Sequence, residues 1–323
     1  MKSWRFSLIC TLLLLTLNGK TFGADILTKP EPFTLTLEPI FGVIAGSVDE
    51  YVYEDDYLLS KLVWDMKPLF YIGVSTSLTV YGVELSASLT LGLPGNSGVM
   101  EDFDYLNYNS AVTNYSISQA KIRSRLQTDV SLGYEFNLLD RFTITPFWEF
   151  RYRVLSFEGY GGYYQYPPEW NPPYTEWTPD APKSYFTGSL ITYHQQYLFT
   201  GFGFSGSADI SERLSLSLLF RFSPLVWCTA VDHHILGAVE YLDDMNGGYT
   251  LGGELSLLFR FTERNALRLG GGYEYTGDLR GPNASRRTGM VSSDYIAAPG
   301  IEGGTKNSQF SVTLSVISEI LPL

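Results

Sequence analysis

Cysteine and histidine are scarce in this chain of 323 residues, which has two cysteines, Cys10 and Cys228, and three histidines. Cys10 lies inside an apolar run from Phe6 to Leu17 that has the form of a secretory leader, so only Cys228 would remain after processing. A single thiol excludes an internal disulfide in an exported protein. The fold must therefore be held together by backbone pairing and side-chain packing.

Long apolar runs are also missing after the leader. Lys2 and Arg5 precede the run, and small residues just before Ala24 offer a cleavage site. A membrane-spanning helix needs about 20 apolar residues, and no later segment of the sequence comes close. The sequence therefore predicts a signal peptide at residues 1–23 and a single domain at residues 24–323.

Basic residues are outnumbered, with 22 Lys+Arg against 34 Asp+Glu. The leader contains three of the bases and none of the acids, so the mature chain has a net charge of −15. Such a charge repels nucleic acid and attracts cationic peptides by long-range steering. We therefore expect no nucleic-acid partner.

Aromatic residues are abundant, with 23 Tyr, 20 Phe and 6 Trp. Apolar and polar residues alternate with a period of two in segments such as 83–91, 214–222 and 311–316. This alternation is typical of strands that face lipid on one side and a polar lumen on the other. Aromatic residues often form girdles at both membrane interfaces of such barrels.

The connections between these segments alternate in length. Short joints, which are candidate periplasmic turns, fall near residues 80–82, 138–140, 211–213 and 262–265. Long connections rich in Gly, Pro, Tyr and Asn, which are candidate extracellular loops, fall near residues 46–57, 93–120, 159–188, 237–247 and 279–306. Four turns and five loops predict an all-β fold, a ten-stranded antiparallel transmembrane β-barrel with long extracellular loops.

Two carboxylates lie close together in the triplet Asp102-Phe103-Asp104, after the third predicted strand. Residues two apart in a strand share a face. Alternation of the two faces, counted from Glu84 as a lumen-facing residue, places both carboxylates on the inner face. Adjacent carboxylates tend to hold one proton between them near neutral pH, which makes a usable general acid and base. The alternative interpretation is a polar loop in an acidic protein.

A second triplet, Asp232-His233-His234, follows the seventh predicted strand. A carboxylate beside an imidazole fixes its tautomer and stabilises its charged form, as a general base requires. The alternation that starts at Leu214 would place Asp232 and His234 on the lipid side, so a one-residue bulge near Pro224 is needed to turn them inward. The alternatives are a solvated histidine at the rim and an adventitious metal contact.

Together these residues resemble the omptins, outer-membrane endoproteases built on a ten-stranded barrel with the active site at the extracellular end. The family pairs an Asp-x-Asp triplet after strand three with an Asp-x-His triplet after strand seven, matched here by Asp102, Asp104, Asp232 and His234. The similarity extends to segments 46–53 and 60–64. In the first segment, Glu50 falls where omptins carry an acid that receives a basic side chain of the substrate.

The resemblance implies an aspartyl endopeptidase of the outer membrane that acts on polypeptide substrates. His234, oriented by Asp232, would deprotonate a water held against Asp102 or Asp104, without a covalent intermediate. Glu50 would bind the basic side chain. No metal and no cofactor are expected, and lipopolysaccharide or another outer-membrane lipid is the partner that the resemblance adds.

Two positions depart from the family pattern. Omptins place a second acidic specificity residue two positions before the dyad aspartate, and that position is Ala230 here. A single acid would hold arginine or lysine less firmly, so we expect a relaxed or altered preference for basic sites. An arginine that helps the family to hold lipopolysaccharide phosphate is replaced by Gln196, which puts the lipid dependence in question.

Two other functions are compatible with the same barrel. A binding or adhesion barrel would hold cationic peptides or host proteins at an acidic mouth without cutting them. A transport barrel would conduct ions, which a ten-stranded lumen filled by side chains should not do.

Overall fold

A computed structural model describes residues 27–28, 33–138, 141–168, 171–289 and 294–322. The predicted signal peptide at residues 1–23 lies outside the described residues. Strands account for most of the described chain. Among the described residues, no helix is long and apolar enough to cross a bilayer.

The strands are β1 (Leu27–Thr28), β2 (Phe33–Glu54), β3 (Tyr57–Val80), β4 (Val83–Gly92), β5 (Gly95–Asp104), β6 (Asn114–Tyr134), β7 (Phe136–Leu138), β8 (Phe142–Gln165), β9 (Ser184–Tyr185), β10 (Ser189–Asp209), β11 (Leu214–His234), β12 (Val239–Arg260), β13 (Asn265–Arg287) and β14 (Ile296–Pro322).

The long strands close into a ring in which every neighbour is antiparallel. β2 pairs with β3, and β3 pairs with both β4 and β5. β4 and β5 each pair with β6. From β6 the order of neighbouring strands is β8, β10, β11, β12, β13 and β14. β14 pairs back onto β2 and closes the ring. Because β4 and β5 together take the place of one strand, interrupted at Leu93-Pro94, the ring has ten strands, and the predicted fold class is confirmed.

The tight turns predicted near residues 80–82, 211–213 and 262–265 are confirmed and lie at one end of the barrel, here called the turn end. The turn predicted at residues 138–140 lies mostly outside the described residues. In the turn at residues 80–82, Tyr81 and Gly82 both have positive φ, 48° and 87°, which is the conformation of a two-residue hairpin turn. The ring strands are joined at the opposite end, here called the loop end, by residues 55–56, 105–113, 166–188, 235–238 and 288–295.

These loop-end connections fall where the sequence predicts them, but they are shorter. Segments 46–54 and 95–104, for example, are paired strands rather than loops. Both segments contain glycine and acidic residues, which are common in loops, yet each segment pairs with antiparallel neighbours, so the hydrogen-bonded ladder continues towards the loop end. The candidate site residues therefore lie on strands rather than on free loops.

Large apolar side chains cover the outside of the barrel in a band, as lipid contact requires. Phe41, Phe70, Trp148, Leu251 and Phe310 are examples of its exposed members. On the inner side the strands present serine, threonine, glutamate and arginine, many of them buried. The alternation predicted from the sequence is thus confirmed.

The predicted bulge in the seventh ring strand is also confirmed. Before Pro224, even-numbered residues such as Leu216 and Leu218 face outward, whereas beyond it the odd-numbered Trp227 does so. The register between β11 and β12 shifts between Ser223 and Trp227. This shift brings Asp232 to the inner face, where it is buried.

A network of charged side chains fills the middle of the lumen. Arg151 and Arg153 are fully buried and both form ion pairs with Glu274. Arg151 also pairs with Glu149 at 3.2 Å. Buried charges are stable only when they are paired, so this network holds the inner faces of distant strands together beneath the loop end.

The Glu274→Gln variant is expected to lose about 3–5 kcal/mol of unfolding free energy, because it leaves two buried guanidinium groups without their shared carboxylate. Urea unfolding in detergent micelles, followed by tryptophan fluorescence, would measure the loss. Glu254→Gln is the matched control, since Glu254 accepts a hydrogen bond from Ser256 on the same inner surface. An equal loss of unfolding free energy in both variants would contradict the stabilising role of Glu274 as the shared partner of Arg151 and Arg153.

Candidate active site

The aspartate pair lies at the end of β5, between β3 and β6. Asp102 is opposite Leu62 on β3 and Ser116 on β6 in the register. The hydroxyl of Ser60 donates a hydrogen bond to Asp102 Oδ1 at 3.2 Å, and that of Ser116 donates one to Asp102 Oδ2 at 3.5 Å. Asp104 follows on the same face, so the pair is fixed by the two flanking strands.

The Asp-His pair lies at the end of β11, on the other side of the lumen. His234 Nε2 lies 2.6 Å from Asp232 Oδ2 and donates a hydrogen bond to it. That hydrogen bond leaves Nδ1 as the nitrogen able to accept a proton. Tyr241 from β12 packs edge-on against the imidazole, with 5.3 Å between the ring centroids, and restricts its rotation.

Glu50 lies on β2, deep in the same region. Its side chain is 2% exposed, and Trp64 Nε1 donates a hydrogen bond to Glu50 Oε2 at 3.2 Å. Trp64 is itself buried between Phe157 and Tyr193, with ring centroids at 5.4 Å and 5.9 Å. This aromatic packing holds the indole, and through it the carboxylate, in one place.

One cavity of about 420 Å³ connects these groups. All five sequence-predicted site residues line it, namely Glu50, Asp102, Asp104, Asp232 and His234. They come from β2, β5 and β11, so the fold brings together residues that are far apart in the chain. None of the described residues that line this cavity is a lysine or an arginine.

Proton affinities in the cavity are shifted by burial and by crowding of negative charge. Burial and the charge of Asp104 raise the pKa of Asp102 to about 8, against the opposing effects of His234 and Ser60. Burial also raises the pKa of Asp104. At neutral pH the pair therefore keeps at least one proton, as expected for two adjacent carboxylates.

The pKa of the His234 imidazole is set by two opposing effects. Burial lowers the pKa of His234, but the charge of Asp232 and the hydrogen bond to it outweigh this effect and raise that pKa to about 8. Asp102 and Asp104 add to the increase. A group with a pKa close to the working pH can take up and release a proton readily, which is what acid-base chemistry on a bound water requires.

Other polar residues also line the cavity, and the sequence analysis does not predict a role for them; Tyr166, Asp243 and Asn283 are examples. Asp243 and Asn283 fall in segments predicted as extracellular loops, so no strand parity was assigned to them. The structure places them on β12 and β13, opposite each other in the register. Alternation continued from the outward-facing Tyr249 and Leu251 would place Asp243 on the outer face. The register between β11 and β12 skips Gly247, which has a positive φ of 85°, and this irregularity turns Asp243 inward, so strand periodicity does not identify it.

A family model and a solved structure each match this chain over most of its length. Residues 31–316 match the family model described as Omptin family. The crystal structure of the outer membrane protease OmpT from Escherichia coli aligns with a TM-score of 0.75 and 18% sequence identity, over 94% of this chain and 99% of that chain. The translocator domain of the autotransporter NalP from Neisseria meningitidis aligns with a TM-score of 0.37 and 9% identity, over 97% and 94% of the two chains. No curated protein sequence matches significantly.

Proposed function

The chain belongs to the omptin family, and from this membership we propose that it is an outer-membrane endopeptidase that cleaves polypeptides at the loop end of its barrel. The protein with a TM-score of 0.75, OmpT, is an outer membrane protease. The observation that supports the proposal most directly is the shared cavity, which is lined by Asp102, Asp104, Asp232 and His234.

In the proposed mechanism, His234 acts as the general base. Its Nε2 is engaged with Asp232, so Nδ1 would take the proton from a water in the cavity. The water oxygen would then attack the carbonyl carbon of the scissile peptide bond. Asp232 would stabilise the imidazolium, which would return the proton to the departing amine.

The aspartate pair would hold that water and stabilise the developing negative charge. A pair that keeps one proton can donate a hydrogen bond as well as accept one. The protonated carboxyl would face the developing oxyanion, and the ionised one would orient the water. No serine or cysteine nucleophile enters this scheme, and Cys228 is buried away from the cavity lining.

Glu50 is the proposed binding site for a basic side chain. It is buried at the cavity wall, in a cavity whose described lining carries carboxylates but no lysine or arginine. An arginine or lysine of the substrate would supply the missing positive charge. We therefore propose cleavage next to basic residues.

The loop end is proposed to face the exterior, with both chain termini in the periplasm, as is usual for outer-membrane barrels. We propose that the enzyme needs no metal or other cofactor and that outer-membrane lipid is its only non-peptide partner. Gln196, on the outer face of β10, accepts a hydrogen bond from Tyr152 and cannot form the ion pair with a lipid phosphate that an arginine would form. Lipid dependence is accordingly expected to be weak.

The test of this function is cleavage of a library of internally quenched peptides by the refolded barrel in detergent micelles, with and without lipopolysaccharide. Mass spectrometry of the products would identify the cleaved bond and the flanking residues. Cleavage next to arginine or lysine is the expected result. A folded barrel that binds cationic peptides but cuts none under either condition would support a binding barrel instead.

The pH dependence of cleavage follows from the pKa of His234. The base must be neutral, and its pKa is raised to about 8, so kcat/KM should rise with pH as His234 loses its proton. It should fall again at higher pH, where the aspartate pair loses the proton that the mechanism requires, because the pKa of Asp102 is also raised to about 8. In Asp232→Asn the raising charge is gone, so the pKa of His234 falls and the acid limb of the profile moves to lower pH, while the maximal rate also drops. Profiles of kcat/KM from pH 5 to 9.5 at constant ionic strength would measure the shift, and an unmoved acid limb in the variant would refute the role of Asp232.

A further inference from the structure

Asp243 lies directly opposite Ala230 in the ladder between β11 and β12. Ala230 is fully buried and brings no charge to the wall of the site. Its ladder partner does bring one, because Asp243 lines the catalytic cavity and is only 4% exposed. The negative charge missing from one strand is therefore present on the next.

The carboxyl group of Asp243 is held in a defined position. Asn283 Nδ2 donates a hydrogen bond to Asp243 Oδ1 at 2.7 Å. On the other side the carboxyl lies against Gly303 of β14, so closely that a Cβ atom at that glycine would come within 2.1 Å of Asp243 Cγ. A side chain at position 303 would occupy the space of the carboxyl, so the glycine makes room for it.

Asp243 belongs to a group of carboxylates that repel one another across the cavity. Its pKa is raised to about 7 by burial and by the charge of Asp232, although the hydrogen bond from Asn283 lowers it. Burial, Asp232 and Asp243 raise the pKa of Glu50. A bound cation would relieve this repulsion and allow Glu50 and Asp243 to ionise.

A further atom in the same cavity also points to a missing partner. Asp232 Oδ1 is buried and has no hydrogen-bond partner, although Oδ2 of the same carboxylate is bonded to His234. Buried carboxylate oxygens are rarely left unpaired in a protein interior. A guanidinium group carries five donors in a planar fork and can bond to more than one carboxylate at once.

We propose that Asp243, together with Glu50, binds the basic side chain of the substrate and determines the preference for arginine or lysine. This assignment rests on the proposed peptidase function and adds a specificity residue to it. The weakened preference expected from Ala230 is then offset by the carboxylate on the neighbouring strand. Asp243 takes no part in the proton transfers, so its loss should affect the choice of substrate rather than the chemical step.

The test compares matched quenched peptides that carry either arginine or citrulline at the selected position, since citrulline keeps the shape and loses the charge. Wild type is expected to prefer arginine, and Asp243→Asn should reduce the arginine-to-citrulline ratio of kcat/KM by about 30-fold, as for loss of one partner of a buried ion pair. Asp244→Asn is the matched control. It removes the same charge at the next position of β12, where the side chain is exposed on the outer face.

A second measurement does not depend on catalysis. Binding of the same two peptides, with the scissile bond N-methylated, would be followed by fluorescence anisotropy in wild type and both variants. Loss of arginine selectivity in Asp243→Asn alone supports the assignment, even where no peptide is cut and the peptidase function fails. Equal selectivity in wild type and Asp243→Asn overturns it, and Asp243→Ser replaces Asp243→Asn in both assays if the latter does not fold.

Discussion

Replacement of His234 by alanine is expected to reduce kcat for peptide cleavage by about 10³- to 10⁴-fold, with little change in KM. The imidazole is the group whose geometry suits proton removal from a water in the cavity, since Nε2 is bonded to Asp232 and Nδ1 remains available. Without it, the water would have to lose its proton to the aspartate pair, which already holds one at neutral pH. Initial rates on the best library peptide, measured at pH 8, would give the loss.

His194→Ala is the matched control for this prediction. His194 lies on β10 beside Gln196 and does not line the cavity, so its removal should leave cleavage unchanged. Correct folding of both variants would be verified by the shift in gel mobility between unheated and heated samples. Undiminished cleavage in a folded His234→Ala variant would exclude the proposed general base and, with it, the Asp-His mechanism.

The barrel could be predicted from the sequence because strand periodicity and turn residues are local signals. The alternation near Leu214 and Leu218 reports which face meets lipid, and turn residues such as Tyr81-Gly82 define hairpins. The bulge at Pro224 is predicted from the proposed chemistry rather than from a local sequence signal. The catalytic interpretation of Asp232 and His234 required an inward orientation, and only an extra residue in the strand could provide it.

The extent of the strands could not be predicted in the same way. Beyond the apolar band both faces of a strand are polar or aromatic, so the alternation that defines a strand disappears. Residues 237–247 and 279–306 look like loops by composition, although most of them pair in β12, β13 and β14. Their pairing depends on partners far away in the chain, which periodicity does not report.

The same limit explains which site residues were found. Asp102, Asp104, Asp232 and His234 form short triplets whose chemistry is visible in the sequence, and the fold brings them to one cavity. Asp243 has no such local pattern, because its position depends on Asn283 in another strand and on the space left by Gly303. Tertiary placement, rather than sequence spacing, identifies it.

Neutralisation of the aspartate pair is the second change with a large expected effect. Asp102→Asn should lower kcat by about 10²- to 10³-fold, because the pair can no longer orient the water and handle its proton. It should also shift the acid limb of the pH profile to lower pH, since the charge of Asp102 helps to raise the pKa of His234. Profiles of kcat and kcat/KM against pH would separate the two effects.

Glu101→Gln controls for the change in net charge, because Glu101 precedes Asp102 on β5 but accepts a hydrogen bond from Tyr115 and does not line the cavity. This variant should keep both the rate and the pH profile of wild type. Loss of rate in Asp102→Asn without movement of the acid limb would place that carboxylate too far from the imidazole to influence it. A full rate in a folded Asp102→Asn variant would remove the residue from the mechanism and leave the water to His234 alone.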